Sequence, residues 1–137
     1  MREIKFRAWD IDKKEMFYSD FIVYANGRIG WWVSEVGYEE MILVEKKVEI
    51  MQYTGLKDKN GKDIYEGDVV QEDIRRDKRS KPIMRWSVVV YSEKGMFIVE
   101  CLPKSLRQWN ELYKENDEVE VIGNIYENPE LLNPHTT

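Results

Sequence analysis

Residues 53–70 read YTGLKDKNGKDIYEGDVV, and this stretch decides the fold class. Asn60-Gly61 is the strongest short-range hairpin signal, because a two-residue type I′ turn needs φ > 0 at both central positions and Asn and Gly accept that at least cost. Lys59 and Lys62 flank the turn, with apolar residues further out at Tyr53, Leu56, Ile64 and Tyr65. Glu66-Gly67-Asp68 makes a second break, where Gly67 is expected to be left-handed or in a bulge. Val69-Val70 then restarts an extended strand, a setting that suits β-branched side chains. The segment is a hairpin feeding a strand of the kind that opens small barrels.

Working outward, the pattern stays β. Residues 3–9 alternate, with Ile4, Phe6 and Ala8 on one face and Glu3, Lys5 and Arg7 on the other, which predicts a half-buried strand. Met16 to Tyr18 reads as a short strand. Phe21 to Ala25 and Arg28 to Val33 flank Asn26-Gly27, a second two-residue hairpin turn. Trp31 and Trp32 are adjacent, so a strand would send them to opposite faces. Residues 41–44, 47–53, 84–91, 96–101 and 118–126 complete the strands. One short helix is predicted over about 105–116: Ser105 and Gln108 have capping-box spacing, and Leu106, Trp109, Leu112 and Tyr113 follow at helical intervals. The expected fold is mainly β, a small barrel or sandwich of antiparallel strands with that helix. A single domain over 1–137 is expected, with room for an N-terminal β layer over 1–50 packed on a barrel-like part over 51–132.

Composition narrows the function classes. The chain has 137 residues and a net charge of −5, which speaks against a general nucleic-acid coat protein. Five Trp, eight Tyr and four Phe suit cross-strand aromatic pairs. Cys101 is the sole cysteine, so no intramolecular disulfide forms, and a reducing cytoplasm is expected. The N-terminal MREIKFRAW has no apolar core of a signal peptide, and no run approaches a membrane span.

Three motifs together resemble the YopX family of phage and prophage proteins: FRAWD at residues 6–10, with Met16-Phe17-Tyr18 nearby; the 53–70 segment; and EVIGNIYENPELL at 120–132. Residues 71–117 match only in texture. The resemblance implies a largely β protein carried by temperate phages, and it supplies no catalytic residue to transfer. At Asn60, Gly61, Gly67 and Asp68, backbone geometry explains the residue types better than chemistry does.

Catalytic and metal constellations fail on supply. His135 is the only histidine; with one cysteine it is too little for a structural zinc site, and as the sole base a catalytic triad could use it stands in the wrong place, in the C-terminal tail. Placing Gly61 at the sixth position of a calcium loop puts Leu56 first and Gly67 twelfth, where carboxylates are required. A phosphate loop would need four residues between Gly55 and Gly61-Lys62, and Asp63 stands where Ser or Thr would hold magnesium. The carboxylates Glu39, Glu40, Asp117, Glu118 and Glu120 read as solvated surface, and Cys101 as a small buried apolar residue. No cofactor is expected, and no enzyme.

Two binding readings remain. Arg75, Arg76, Lys78, Arg79 and Lys81 stand against Asp77 alone in a polar loop, and Trp86 follows. Such a loop can neutralise phosphates, with Trp86 stacking on a base; a solvated hairpin loop is the plainer reading for an acidic protein. The leading expectation is a non-enzymatic cytoplasmic accessory protein that binds itself, as a homo-oligomer, and an unknown host or phage protein, since many strands leave edges to protect.

Overall fold

The computed structural model describes residues 3–19, 21–26, 29–35, 38–43, 48–102, 109–112 and 118–133, with 31–35 and 38–43 described in their backbone alone. The described residues are mostly strand: β1 (Phe6–Asp10), β2 (Glu15–Phe17), β3 (Phe21–Val23), β4 (Ile29–Glu35), β5 (Tyr38–Leu43), β6 (Val48–Lys57), β7 (Asp63–Tyr65), β8 (Asp68–Asp73), β9 (Met84–Tyr91), β10 (Phe97–Cys101), β11 (Trp109–Glu111) and β12 (Glu120–Asn124). A short 3-10 helix spans Pro129–Leu132. The mainly antiparallel β class expected from the sequence is what the chain adopts.

The chain divides into two compact units, residues 7–50 and residues 1–6 with 51–137. In the first, β1 and β2 form a hairpin with Ala8 opposite Phe17. Asp10 builds its turn: the carboxylate accepts from the backbone N–H groups of Asp12 and Lys13, each at 3.0 Å, and Lys14 N–H donates to the Asp10 carbonyl. The alternation expected over residues 3–9 does not hold. Arg7, Ala8, Trp9 and Asp10 are all buried, and Ile4 is exposed, because both faces of β1 are covered. A second sheet runs β3-β4-β5. Val23 lies opposite Ile29; the turn expected at Asn26-Gly27 falls partly outside the described residues, as do the side chains of Trp31 and Trp32.

In the second unit a five-stranded antiparallel sheet runs β11-β10-β9-β8-β12. Successive residues of its strands feed opposite faces. Val70, Val89 and Val99 pack with Ile64 and Val119 on one face, joined by Leu56, Leu112 and Val121. Val69, Val88 and Leu102 pack on the other with Trp86, Ile122, Ile125, Leu131 and Leu132. Burial on both sides explains why β8 and β9 read as unbroken valine runs rather than alternation. Cys101 faces the interior at 1% exposure.

The helix predicted over about 105–116 is corrected where the chain is described. Trp109–Glu111 is a strand paired with β10, Glu100 opposite Trp109 and Ile98 opposite Glu111. Cross-strand pairing with a ready neighbour outweighs a helical spacing carried by four apolar residues. Residues 105–108 and 113–116 lie outside the described residues.

The turn at Asn60-Gly61 is also corrected. Gly61 has φ +81°, whereas Asn60 is not left-handed. Gly61 N–H donates to the Asp58 carbonyl at 3.0 Å, and Asp58 N–H to the Lys62 carbonyl at 2.8 Å. This is a five-residue loop built on a turn begun by Asp58, with one left-handed glycine at its end. Asp58 takes over the work expected of Asn60: its carboxylate accepts from the N–H groups of Asn60 and Lys62 at 2.8 and 2.9 Å. Gly67 is left-handed as expected, φ +86°.

Candidate functional site

The residues singled out by sequence fall into two groups. Those of the 53–70 segment act on the backbone. Asp68, 2% exposed, accepts from Tyr65 N–H at 2.8 Å, closing the break at Gly67. Gly67 itself donates to the Val89 carbonyl and accepts from Ile125 N–H, tying β8 to β9 and to the C-terminal segment. Asn60 lies at the surface, its amide donating to Glu120 at 3.4 Å.

Asp58, which sequence reading passed over, is the hub. Its second carboxylate oxygen accepts from Val121 N–H at 3.0 Å, and Lys59 N–H donates to the Val119 carbonyl at 2.9 Å. The loop thus satisfies backbone groups that β12 turns away from β8. Burial would raise the Asp58 pKa; the N–H groups of Val121, Lys62 and Asn60 outweigh it and hold the carboxyl below its ordinary value. The signal available was an Asp two residues before Asn-Gly, an Asx-turn position.

The third motif is built in the same way. The side-chain oxygen of buried Asn124 accepts from the N–H groups of Tyr126 and Glu127 at 3.0 and 2.8 Å, and Asn128 returns a bond to Asn124 N–H. A β-carbon at Gly123 would stand 2.5 Å from the Asn128 side chain. The motifs that carry the resemblance are therefore mostly turn architecture.

A nearby ion-pair cluster fixes the hairpin. Asp63 bridges Lys5 at 2.6 Å and Lys57 at 2.7 Å, and Lys5 sits 4.4 Å above the Tyr53 ring. Burial would raise the Asp63 pKa, but the two lysines lower it overall. Among the described residues no group of three or more His, Cys, Asp or Glu could hold a metal ion. No helix among them is long and apolar enough to cross a membrane.

The basic loop joins β8 to β9 and is pinned from within. Asp73 accepts from Arg75 and Ile83 N–H at 3.1 Å each, and Asp77 from Arg79 N–H at 2.9 Å. Arg75 folds back, pairing with Asp73 at 2.6 Å and donating to the Ser80 carbonyl. Lys78 pairs with Glu118 at 3.2 Å. Arg76, Arg79 and Lys81 are exposed. Trp86 lies in β9, half-buried against Val69, Val88 and Leu102, so its ring packs in the protein.

A groove of about 420 Å³ opens at the other end of β9. Val90 and Ile98, opposite one another in β9 and β10, line it with Tyr91, Met96 and Trp109. The last three are exposed, Trp109 at 51%. Glu93, Lys94 and Glu100 complete it. Glu111 shares this face, since it lies directly opposite Ile98. Among the described residues, the groove and its face thus join aromatic and apolar surface to the carboxylates of Glu93, Glu100 and Glu111 and the ammonium of Lys94. Sequence reading missed it because Trp109 was assigned to the core stripe of a helix.

The comparisons agree with this picture. The model of the YopX protein family matches residues 5–133. The crystal structure of protein EF1440 from Enterococcus faecalis is 29% identical, with a TM-score of 0.55 over 96% of this chain and 99% of that one. Protein yopX from Bacillus subtilis is 25% identical, with a TM-score of 0.62 over 96% and 97%. No functionally curated protein matches. With all three motifs inside the matched range and the strand architecture shared, the chain belongs to the YopX family.

Proposed function

We propose that the protein acts by binding rather than catalysis, as a self-assembling accessory module of a phage or prophage, working in the cytoplasm of the bacterial host. One observation carries the reading: among the described residues, the buried carboxylates and the buried amide of Asn124 serve the backbone. Asp10, Asp58, Asp68 and Asn124 each accept from main-chain N–H groups. The Asp58 carboxylate, held below its ordinary pKa by those bonds, is a poor general base. Exposed Tyr91 and Trp109 line the groove and exposed Arg76, Arg79 and Lys81 stand on the basic loop, features suited to contact with a macromolecule. Sedimentation velocity at micromolar concentration tests the self-assembly. A species above 16.5 kDa is expected, and a single species at that mass overturns it. Capture from infected host cells, with and without nuclease, then separates protein partners from nucleic acid.

A second reading is favoured by the exposure of Arg76, Arg79 and Lys81 on a pinned loop: contact with nucleic-acid phosphates. Three phosphate contacts give a log–log salt slope of about −2.7 on duplex DNA, a weak, steeply salt-dependent affinity. Absence of any gel retardation of single- or double-stranded DNA or RNA at low salt removes this reading.

A further inference from the structure

We propose that copies of the chain join head to tail, the basic loop of one seating Arg76, Arg79 and Lys81 in the acidic groove at the β9–β11 end of the next. The proposal rests on the reading of the protein as self-assembling and names the two surfaces that meet.

The charges match. Among the described residues, the groove face carries Glu93, Glu100 and Glu111 against Lys94, and the loop offers three exposed cations, Arg76, Arg79 and Lys81. Arginine suits the groove in particular. Glu100 lies opposite Trp109 across the β10–β11 pair, so a carboxylate and an indole share one face. A guanidinium can stack on the ring while its N–H groups meet the carboxylate. Tyr91 and Met96 add exposed apolar surface for the stems of the basic side chains.

The geometry makes the contact intermolecular. The loop precedes Met84 and the groove surrounds Tyr91, at opposite ends of the eight-residue β9. The docking pair Glu100 and Trp109 lies beside Val88, about 13 Å along β9 from Met84, and the loop is tied toward the opposite edge of the sheet, where Lys78 pairs with Glu118 just before β12, so a pinned loop does not reach its own groove. Its internal bonds, from Asp73 to Arg75 and Ile83 and from Asp77 to Arg79, limit the ordering cost of docking. Two different surfaces meeting make a heterologous interface, which closes as a ring or continues as a chain. Pairing of β11 with β11 of a second copy would bring two sets of carboxylates together on an acidic protein, which disfavours the symmetric alternative.

Two variants of the full chain test this: a groove variant, Glu100→Gln with Trp109→Ala, and a loop variant, Arg76→Ala with Arg79→Ala. All four residues are off the cores, so thermal melts should match the parent. In light scattering at low salt the parent is expected to assemble, with affinity falling about tenfold or more on going to high salt, as surface charge contacts are screened. Each variant alone should run as a monomer. Mixed, they should form a dimer that grows no further, because only one intact loop and one intact groove remain. A mixture that stays monomeric while the parent assembles overturns the proposal, as does assembly of either variant at parental affinity. Either result leaves self-assembly itself standing. A parent that is monomeric at every concentration overturns both, and so does a large species that nuclease treatment removes.

Discussion

At one edge of the five-stranded sheet, β12 meets the Asp58 loop, whose carboxylate and Lys59 N–H satisfy its outward backbone groups. At the other edge, β11 is exposed along its three residues and carries a half-exposed tryptophan. An unpaired strand edge invites further pairing, and proteins commonly cover or charge it. Here one edge is covered by a side chain acting as a neighbouring strand would. The other is short and acidic, beside a groove. The difference teaches where the chain spends stability and where it leaves surface for contact.

The comparison breaks most sharply at Asp58. Asp58→Ala leaves three backbone N–H groups without their acceptor, at a site 7% exposed. A loss of about 3 kcal/mol or more is expected in urea melts, since unsatisfied buried donors cost about 1–3 kcal/mol each and are not additive. Acid gives a finer version of the same test. The folded pKa of Asp58 lies below its ordinary 3.8, so its contribution is full above that value and is lost as pH falls through the folded pKa. Asp63 acts in the same direction, through Lys5 and Lys57. Stability measured against pH should fall below about 4, and Asp58→Asn should flatten that fall; a parallel fall in both proteins would show that Asp58 is not the group responsible.

Next come the two left-handed glycines. Gly67→Val combines φ +86° with a β-carbon 3.1 Å from the Met51 sulfur, so about 3 kcal/mol is expected from strain and crowding together. Gly61→Val, in the loop that seals β12, meets open space at φ +81°; about 1–2 kcal/mol of strain is expected. Equal melting temperatures for the two variants would contradict this ordering. At the open edge Trp109→Ala should leave stability within about 0.5 kcal/mol. A larger loss on thermal melting would mean that the ring supports the fold, and the contrast between the edges would narrow.

What could be read from the sequence follows from the kind of signal. The valine runs at 69–70 and 88–90 and the Phe97–Cys101 stretch announced strands because β-branched and aromatic residues have few other comfortable settings. Gly67 announced its left-handed backbone for the same local reason. Asp58 did not declare itself: an acid in a polar turn looks solvated until the chain brings Val121 to it, sixty-three residues away. Arg7 and Asp10 were hidden likewise, since alternation reports one buried face and β1 has two. Trp109 was misread because its helical spacing to Leu112 and Tyr113 was visible, while its partner Glu100 was a neighbour only in space. The groove was beyond the sequence for that reason, since its carboxylates converge only through strand pairing.

The lone thiol at Cys101, sealed in β10, makes the protein its own chemical reporter. A thiol-modifying reagent meets it only when β10 separates from its neighbours, so the rate of modification counts sheet-opening events one molecule at a time. Because the residue is unique, that count needs no engineered probe and no correction for a second reacting site. Wherever sheet opening is fast compared with labelling, it reads the opening equilibrium directly.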